Sequence, residues 1–173
     1  IKNELIRALQ DSGLNVIFIG LCTTPMVYLS QYLLPVELSL MVTASHNPQQ
    51  YNGIKMMLNK NSIANKEIQV LKQYYQEGKR VKSVRKVTVL EYQFVPEYVA
   101  FLKRLFPHLI GSEIEGVFDC ANGAAGTVLP LLVQEMQWKN VRLLYSDLDG
   151  TFPNHKPDPS DETTLHDLKM QVK

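Results

Sequence analysis

The chain has 173 residues, enough for one large domain or two small ones. Hydrophobic residues make up 45% of the chain and charged residues 20%, which is the composition of a folded globular protein and excludes an intrinsically disordered one. The formal net charge is +1, so no overall field attracts nucleic acid or an anionic membrane, and we expect neither as a partner.

The first half of the chain alternates between helical and strand patterns. Thr24 followed by Pro25 is typical of a helix start, and Gly13 and Gly78 follow apolar periodicities in the way that helix-ending glycines do. In chain order these patterns predict a helix before Gly13, a strand at 16–19, a helix at 24–34, strands at 38–43 and 53–58, and an amphipathic helix at 66–77.

The second half repeats an α/β pattern after a basic stretch that lacks periodicity. We interpret residues 79–90 as a linker whose charged side chains, Lys79, Arg80, Lys82, Arg85 and Lys86, are solvated. Beyond it the patterns predict a helix at 96–106, a strand at 116–120, a glycine turn, a helix at 127–137, a strand at 141–145 and a proline-rich loop. The predicted fold class is therefore α/β, with two consecutive units in which helices flank mixed sheets.

Several sequence features bear on location and completeness. Cys22 and Cys120 lie far apart without the spacing of metal ligands, so we expect two buried free thiols. No apolar stretch approaches the roughly 20 residues that span a bilayer, and the first residues, Ile-Lys-Asn-Glu, lack the charged-then-apolar pattern that a secretory signal would show. These features predict a cytoplasmic protein. The chain starts at Ile1, within a pattern typical of the end of a helix, so we expect it to be a fragment.

A serine follows the second predicted strand directly. Asn47 and Pro48 are turn residues, so Ser45 is expected at the edge of a sheet, facing outward. His46 is adjacent and Lys55 lies on the next strand, and both could approach an anion held at Ser45. The residues alone leave a second interpretation open, in which Ser45 caps a turn beside a solvated His46. A serine hydrolase is disfavoured, because no G-x-S-x-G motif surrounds the serine.

Residues 43–55 read Thr-Ala-Ser-His-Asn-Pro-Gln-Gln-Tyr-Asn-Gly-Ile-Lys, which closely resembles the phosphoserine signature of the α-D-phosphohexomutases. The resemblance is greatest to the bacterial phosphomannomutase/phosphoglucomutase branch. Residues 13–25 resemble the family's stretch before the serine, and residues 117–126 resemble the opening of its second domain. The resemblance implies two α/β domains of the phosphohexomutase type, with 1–88 as the C-terminal part of domain I and 89–173 as most of domain II.

The resemblance also implies an activity, the interconversion of hexose 1-phosphate and hexose 6-phosphate of mannose or glucose. The phosphorylated serine, here Ser45, would give its phosphoryl group to the sugar and form a hexose 1,6-bisphosphate. His46 would position the phosphoryl group, and Lys55 would assist proton transfer at the sugar hydroxyl. Mg²⁺ would contact the phosphate on Ser45, but the family's D-x-D-x-D-R loop, which supplies its aspartate ligands, is not found in the sequence. We therefore expect the fragment alone to be inactive.

A rival motif lies in the second half. Asp147 and Asp149 stand in the order D-x-D-G-T after a predicted strand, which is typical of haloacid-dehalogenase-type phosphatases. Asp147 would then be a nucleophile beside Mg²⁺. The sequence after this motif is too short for the further motifs of such a phosphatase, and residues 149–157 also resemble the mutase family's own loop. A third alternative is a non-catalytic interaction or regulatory module that retains the serine loop.

The remaining prominent residues are interpreted as structural. Gly123 and Gly126 follow a predicted strand, but their spacing fits neither a P-loop nor G-x-G-x-x-G, so we interpret the turn as one of tight packing rather than of nucleotide binding. The other residues without a site assignment are His108 and His166, expected to be exposed, His155 in the proline-rich loop, and Trp138, expected to pack on the second sheet.

Overall fold

The computed structural model describes residues 1–47 and 50–172, and the packing of the backbone divides the chain into two compact units. Unit 1 comprises Ile1–Gly20, Val27–Thr43 and Gly53–Tyr92, and unit 2 comprises Leu21–Met26, Ala44–Asn52 and Gln93–Lys173. The segment around Ser45 thus belongs to unit 2, although the strands on either side of it belong to unit 1. The boundary between domains at residues 88 and 89 stays a prediction.

Unit 1 combines helices with parallel and antiparallel strand pairs. Its elements are α1 (Lys2–Asp11), β1 (Val16–Phe18), α2 (Thr24–Leu33), β2 (Leu38–Val42), β3 (Ile54–Leu58), β4 (Asn61–Ser62), α3 (Asn65–Gln76) and β5 (Val89–Glu91). The first residues of α2 belong to unit 2. Strands β1 and β5 are parallel, whereas β2, β3 and β4 form an antiparallel sheet in that order. The predicted helices and strands of this half are confirmed, and β4 is an addition.

A buried glutamine joins α2 to the β2–β3 hairpin. The Gln31 side chain donates from Nε2 to the carbonyl oxygens of Met57, at 2.8 Å, and Glu37, at 3.1 Å. Its Oε1 accepts from the backbone N–H of Lys60 at 2.6 Å. A buried amide without partners would cost about 1–3 kcal/mol, so these hydrogen bonds favour a single placement of the hairpin against the helix. The strand that carries Lys55 is held in this way.

The predicted linker over residues 79–90 is wrong at its C-terminal end. Val89–Glu91 form β5, in which Val89 pairs with Val16 of β1. The residue before it, Thr88, donates its backbone N–H to Oδ1 of Asn15 at 3.0 Å. A strand of three residues is too short for an alternating pattern, so periodicity does not reveal it. The basic side chains that precede it are all exposed, as predicted.

Unit 2 is built around one pair of parallel strands. Its elements are α4 (Phe94–Leu105), β6 (Glu115–Asp119), α5 (Leu129–Glu135), β7 (Asn140–Leu144) and α6 (His166–Gln171), with 3-10 turns at Pro107–Leu109, Ala124–Thr127 and Glu162–Leu165. Strands β6 and β7 pair in parallel along their whole length. The most deeply buried side chains are Met26, Phe94, Val99 and Met136, so the first turn of α2, which contains Met26, contributes to this core.

The two cysteines also belong to unit 2. Cys22 and Cys120 are both buried and both free, as predicted. Burial raises the pKa of each thiol, and for Cys120 the nearby charge of Asp119 raises the pKa further. His108 and His166 are exposed, as expected. Among the described residues, no helix has the length and apolar character that crossing a membrane requires.

Candidate functional site

Ser45 lies in a tight turn with a strained backbone. The backbone N–H of Asn47 donates to the carbonyl oxygen of Ala44 at 3.1 Å, and the Asn47 side-chain amide donates to the same oxygen at 2.8 Å. Ser45 has φ of 56°, in the left-handed region, which costs a residue other than glycine roughly 1–2 kcal/mol. Strain of this kind is concentrated at functional sites. Ser45 and His46 are both exposed.

Pro48, one of the two residues that predict this turn, lies outside the described residues together with Gln49. Lys55 lies on β3, where it pairs with Met41 of β2 and is exposed. At the base of the loop the backbone N–H of Thr43 donates to the carbonyl oxygen of Gly53 at 2.9 Å. Ser45 and His46 thus belong to unit 2, and Lys55 belongs to unit 1.

A second group of polar side chains lies at the carboxyl end of β6, and sequence reasoning did not assign it to a site. Asp119, the last residue of β6, accepts from the backbone N–H of Ala121 at 2.8 Å, and its Oδ2 lies 2.9 Å from Nε2 of His155. The other ring nitrogen of His155, Nδ1, lies 2.9 Å from the carbonyl oxygen of Lys156. A carboxylate and a carbonyl only accept, so both contacts are hydrogen bonds when both ring nitrogens carry protons, and the geometry favours the imidazolium form of His155. The side chains are 8% and 16% exposed, which makes this a largely buried ion pair.

The surroundings of His155 favour its charged form. Burial disfavours the positive charge, but the hydrogen bonds to the Lys156 carbonyl and to Asp119, with the charge of Asp167, outweigh it and raise the pKa of His155 above 6.5. The ring of Tyr145 meets the imidazole edge to face at 5.5 Å between centroids. The Tyr145 hydroxyl donates to Asp167, and this hydrogen bond raises the pKa of Tyr145.

Replacing Asp119 by asparagine is expected to lower the free energy of unfolding by about 3 kcal/mol, because it leaves a buried imidazolium without its counter-ion. The raised pKa of His155 means that the pair's contribution is fully present below about pH 6.5 and is lost as the pH rises through the folded-state value. Chemical denaturation of both proteins from about pH 5.5 to about pH 9 measures this difference.

The matched control is Glu162→Gln, which removes an exposed ion pair of the same unit. Glu162 lies 3.6 Å from Lys169, and the two side chains are 88% and 55% exposed. An exposed pair of this kind contributes less than about 1 kcal/mol. A loss in Asp119→Asn that is no larger than in the control, or that grows with pH, would contradict the assignment of a buried charged pair.

Asparagines connect the turn after β6 to the long segment that follows β7. The side-chain amide of Asn122 donates to the carbonyl oxygen of Asp147 at 2.9 Å, and the amide of Asn154 donates to Oδ1 of Asn122 at 2.8 Å. Asn122 is buried and has φ of 54°, a conformation that asparagine tolerates better than most residues. The proline-rich loop is therefore held to the sheet by Asn122 and by the Asp119–His155 pair.

In the acidic motif after β7, which contains Asp147 and Asp149, the side chain of Asp149 stabilises a local turn. Oδ1 of Asp149 accepts from the backbone N–H of Thr151 at 2.9 Å and from its hydroxyl at 2.7 Å, and these bonds lower the pKa of Asp149. Asp147 is exposed. Throughout residues 1–47 and 50–172, no three His, Cys, Asp or Glu side chains come together where they could hold a metal ion.

Comparison with known proteins places both units in one family. The model described as "Phosphoglucomutase/phosphomannomutase, alpha/beta/alpha domain I" matches residues 1–82, and the corresponding model for domain II matches residues 96–173. The chain belongs to the phosphoglucomutase/phosphomannomutase family. The predicted family and fold class are therefore confirmed. The acidic motif lies inside the domain II match, so it belongs to the second domain of a mutase-family chain rather than to a haloacid dehalogenase.

Individual members of the phosphoglucomutase/phosphomannomutase family are similar over the whole chain. A phosphomannomutase/phosphoglucomutase of Pseudomonas putida is 35% identical over 175 residues, which cover 98% of this chain and 36% of that protein. A phosphoglucomutase of Neisseria meningitidis serogroup B is also 35% identical, over 100% of this chain and 37% of that protein. A crystal structure of a family member from Burkholderia thailandensis superimposes with a TM-score of 0.86 at 28% identity, covering 99% of this chain and 38% of that one. The chain thus spans a little over one third of the relatives it matches.

Proposed function

We propose that the chain is the phosphoserine-bearing part of a phosphohexomutase that interconverts hexose 1-phosphate and hexose 6-phosphate. The observation that carries the proposal is the strained, exposed turn at Ser45, which lies inside the match to domain I of the mutase family. The names of the relatives, phosphomannomutase and phosphoglucomutase, support a phosphate of mannose or glucose as the substrate. A cytoplasmic location belongs to the same proposal.

In the proposed reaction the phosphoryl group on Ser45 moves to a free hydroxyl of the sugar phosphate. The Oγ–P bond breaks, a new O–P bond forms to the sugar, and the hydroxyl proton leaves with the assistance of Lys55. The hexose 1,6-bisphosphate then returns its other phosphoryl group to Oγ of Ser45. His46 donates a hydrogen bond to the phosphoryl oxygens, whose charge of about −1.5 to −2 at neutral pH needs positive partners.

Mg²⁺ is the proposed metal ion, since it would offset further negative charge of the phosphoryl group. This chain would supply one contact to it, through the phosphate on Ser45. The described residues contain no cluster of carboxylates that would complete the coordination. Any further protein ligands would come from another part of a protein as long as the relatives.

The test is phosphopeptide mapping of the full-length protein after incubation with hexose 1,6-bisphosphate and Mg²⁺. The expected result is one phosphoryl group on Ser45, which is then transferred to added glucose or mannose monophosphate. Phosphorylation of Asp147 instead would favour the phosphatase alternative. If the folded protein leaves Ser45 unmodified, the mutase proposal is wrong and a non-catalytic binding module becomes the better interpretation.

A further inference from the structure

The register of the β2–β3 pair is weakly specified by the sequence of the two strands. One face of the pair is wholly apolar and carries Leu38, Leu40, Val42, Ile54, Met56 and Leu58. On the opposite face Met57 is as apolar as Met56, so a shift of β3 by one residue would exchange one methionine for another. The strands are joined by the long segment 43–53 rather than by a tight turn, so this connection does not fix the register either.

The position of Lys55 depends on this register. Lys55 pairs with Met41 and lies on the same face as Met57. Helix α2 covers that face, since Oγ of Ser30 on the helix lies 3.5 Å from Oγ of Ser39, the residue that pairs with Met57. Because side chains alternate between the two faces of a strand, a slip of one residue would turn Lys55 to the face that α2 does not cover.

Gln31 of α2 bonds the backbone of the hairpin at three points. It contacts Glu37 before β2, Met57 within β3, and Lys60 in the turn that follows β3, at distances between 2.6 and 3.1 Å. Gln31 is only 3% exposed, so water does not readily replace these partners. Successive carbonyls of a strand point in opposite directions, so a slip of β3 by one residue would leave Nε2 of Gln31 without the Met57 carbonyl.

We propose that Gln31 is a positioning residue, which sets the register of β3 and thereby presents Lys55 to the reacting hydroxyl of the sugar phosphate. This inference rests on the proposed mutase function, in which Lys55 assists proton transfer. Gln31 acts through the strand, because Lys55 lies two residues before Met57, whose carbonyl oxygen Gln31 holds. A displacement of about 1 Å at a reacting group can lower the rate roughly 100-fold, so the placement of β3 matters for the chemistry.

The decisive variant is Gln31→Met in the full-length protein, because methionine fills a similar volume without the three hydrogen bonds. We expect kcat to fall about tenfold or more and KM to change less than about twofold, at a temperature where thermal unfolding shows the variant to be folded. The matched control is Ser30→Ala, at the preceding residue of α2, which is also buried but contacts β2 rather than β3. This control is expected to leave both constants unchanged.

A double-mutant cycle separates positioning from a general loss of structure. In the Lys55→Ala protein, Gln31→Met is expected to change kcat less than about twofold, because the group that Gln31 positions is already absent. An equal fold-loss in both backgrounds would mean that Gln31 does not act through Lys55, and the inference would be wrong. A wild-type rate in Gln31→Met, or an equal loss in Ser30→Ala, would overturn it too.

A second measurement needs no turnover. In this chain, NMR contacts between the backbone protons of Met41 and Lys55 report the register directly. We expect these contacts to weaken or disappear in Gln31→Met and to persist in Ser30→Ala. If they persist unchanged in Gln31→Met, only this inference fails, whatever the activity. If they respond but Ser45 is never phosphorylated, the proposed function fails and the positioning role fails with it, while the effect of Gln31 on the register stands.

Discussion

Replacing Ser45 by alanine is expected to lower kcat of the full-length protein by about 1000-fold or more, because the variant has no oxygen to carry the phosphoryl group between the two positions of the sugar. The loss should appear in the chemical step, and binding of hexose phosphate should persist. Steady-state rates with glucose 1-phosphate and mannose 1-phosphate, together with a binding isotherm for each variant, measure both quantities.

Two further substitutions separate the chemistry of Ser45 from its backbone. Ser45→Gly also removes the hydroxyl and should be equally inactive, but it is expected to be about 1 kcal/mol more stable than Ser45→Ala, since glycine adopts the positive φ without strain. Ser62→Ala, at an exposed serine of β4, is expected to keep full activity. Substantial turnover by Ser45→Ala would contradict a phosphoserine mechanism.

Replacing Gly126 by alanine is expected to destabilise unit 2 by about 3 kcal/mol or more, which lowers Tm by roughly 10 °C. A Cβ at this position would lie 2.0 Å from the carbonyl oxygen of Ser146 and 2.9 Å from its carbonyl carbon. The obstacle is backbone rather than the flexible end of a side chain, so relief requires the turn after β6 to move away from the loop after β7. Thermal unfolding followed by circular dichroism measures the loss.

The matched control is Gly116→Ala, within β6, where an added Cβ meets no atom within 4 Å. It is expected to be neutral or slightly stabilising, because alanine loses less backbone entropy than glycine on folding. Equal stability of the Gly126 and Gly116 variants would show that the close approach of Gly126 to Ser146 is not required for the stability of unit 2. The expected difference would support the interpretation of the glycine turn as tight packing rather than as a phosphate cradle.

Most helices and strands follow from local patterns, and the elements that were missed have specific physical reasons. Strand β4 returns from β3 through Asn59 and Lys60, which have φ of 48° and 65° and form a hairpin turn without glycine. The 3-10 turn Glu162–Leu165 that leads into α6 is capped by Asp161, whose side chain accepts from the backbone N–H of Thr163. This aspartate is a capping signal, but a helix of six residues is too short to show a clear apolar period.

The candidate site also contains residues that the sequence predicts and residues that it does not. Ser45, His46 and Lys55 were found because they stand close together in one motif, and their catalytic roles remain predictions. The Asp119–His155 pair joins residues 36 positions apart and depends on where β6 ends and how the proline-rich loop returns to it. The spacing of residues along the sequence does not show that the proline-rich loop folds back onto the end of β6. The only available signal was an aspartate at the carboxyl end of a predicted strand, where polar groups of α/β folds often meet.

The two buried thiols give unit 2 its own reporters of opening. A thiol reacts with an alkylating reagent as the thiolate, and burial both shields Cys22 and Cys120 and raises the pKa of each. Modification therefore requires the surrounding structure to open. The rate of alkylation at Cys120 measures how often the end of β6 becomes exposed, one residue from Asp119, while Cys22 reports on the segment before α2. The protein's two cysteines thus allow local stability to be followed without any added label.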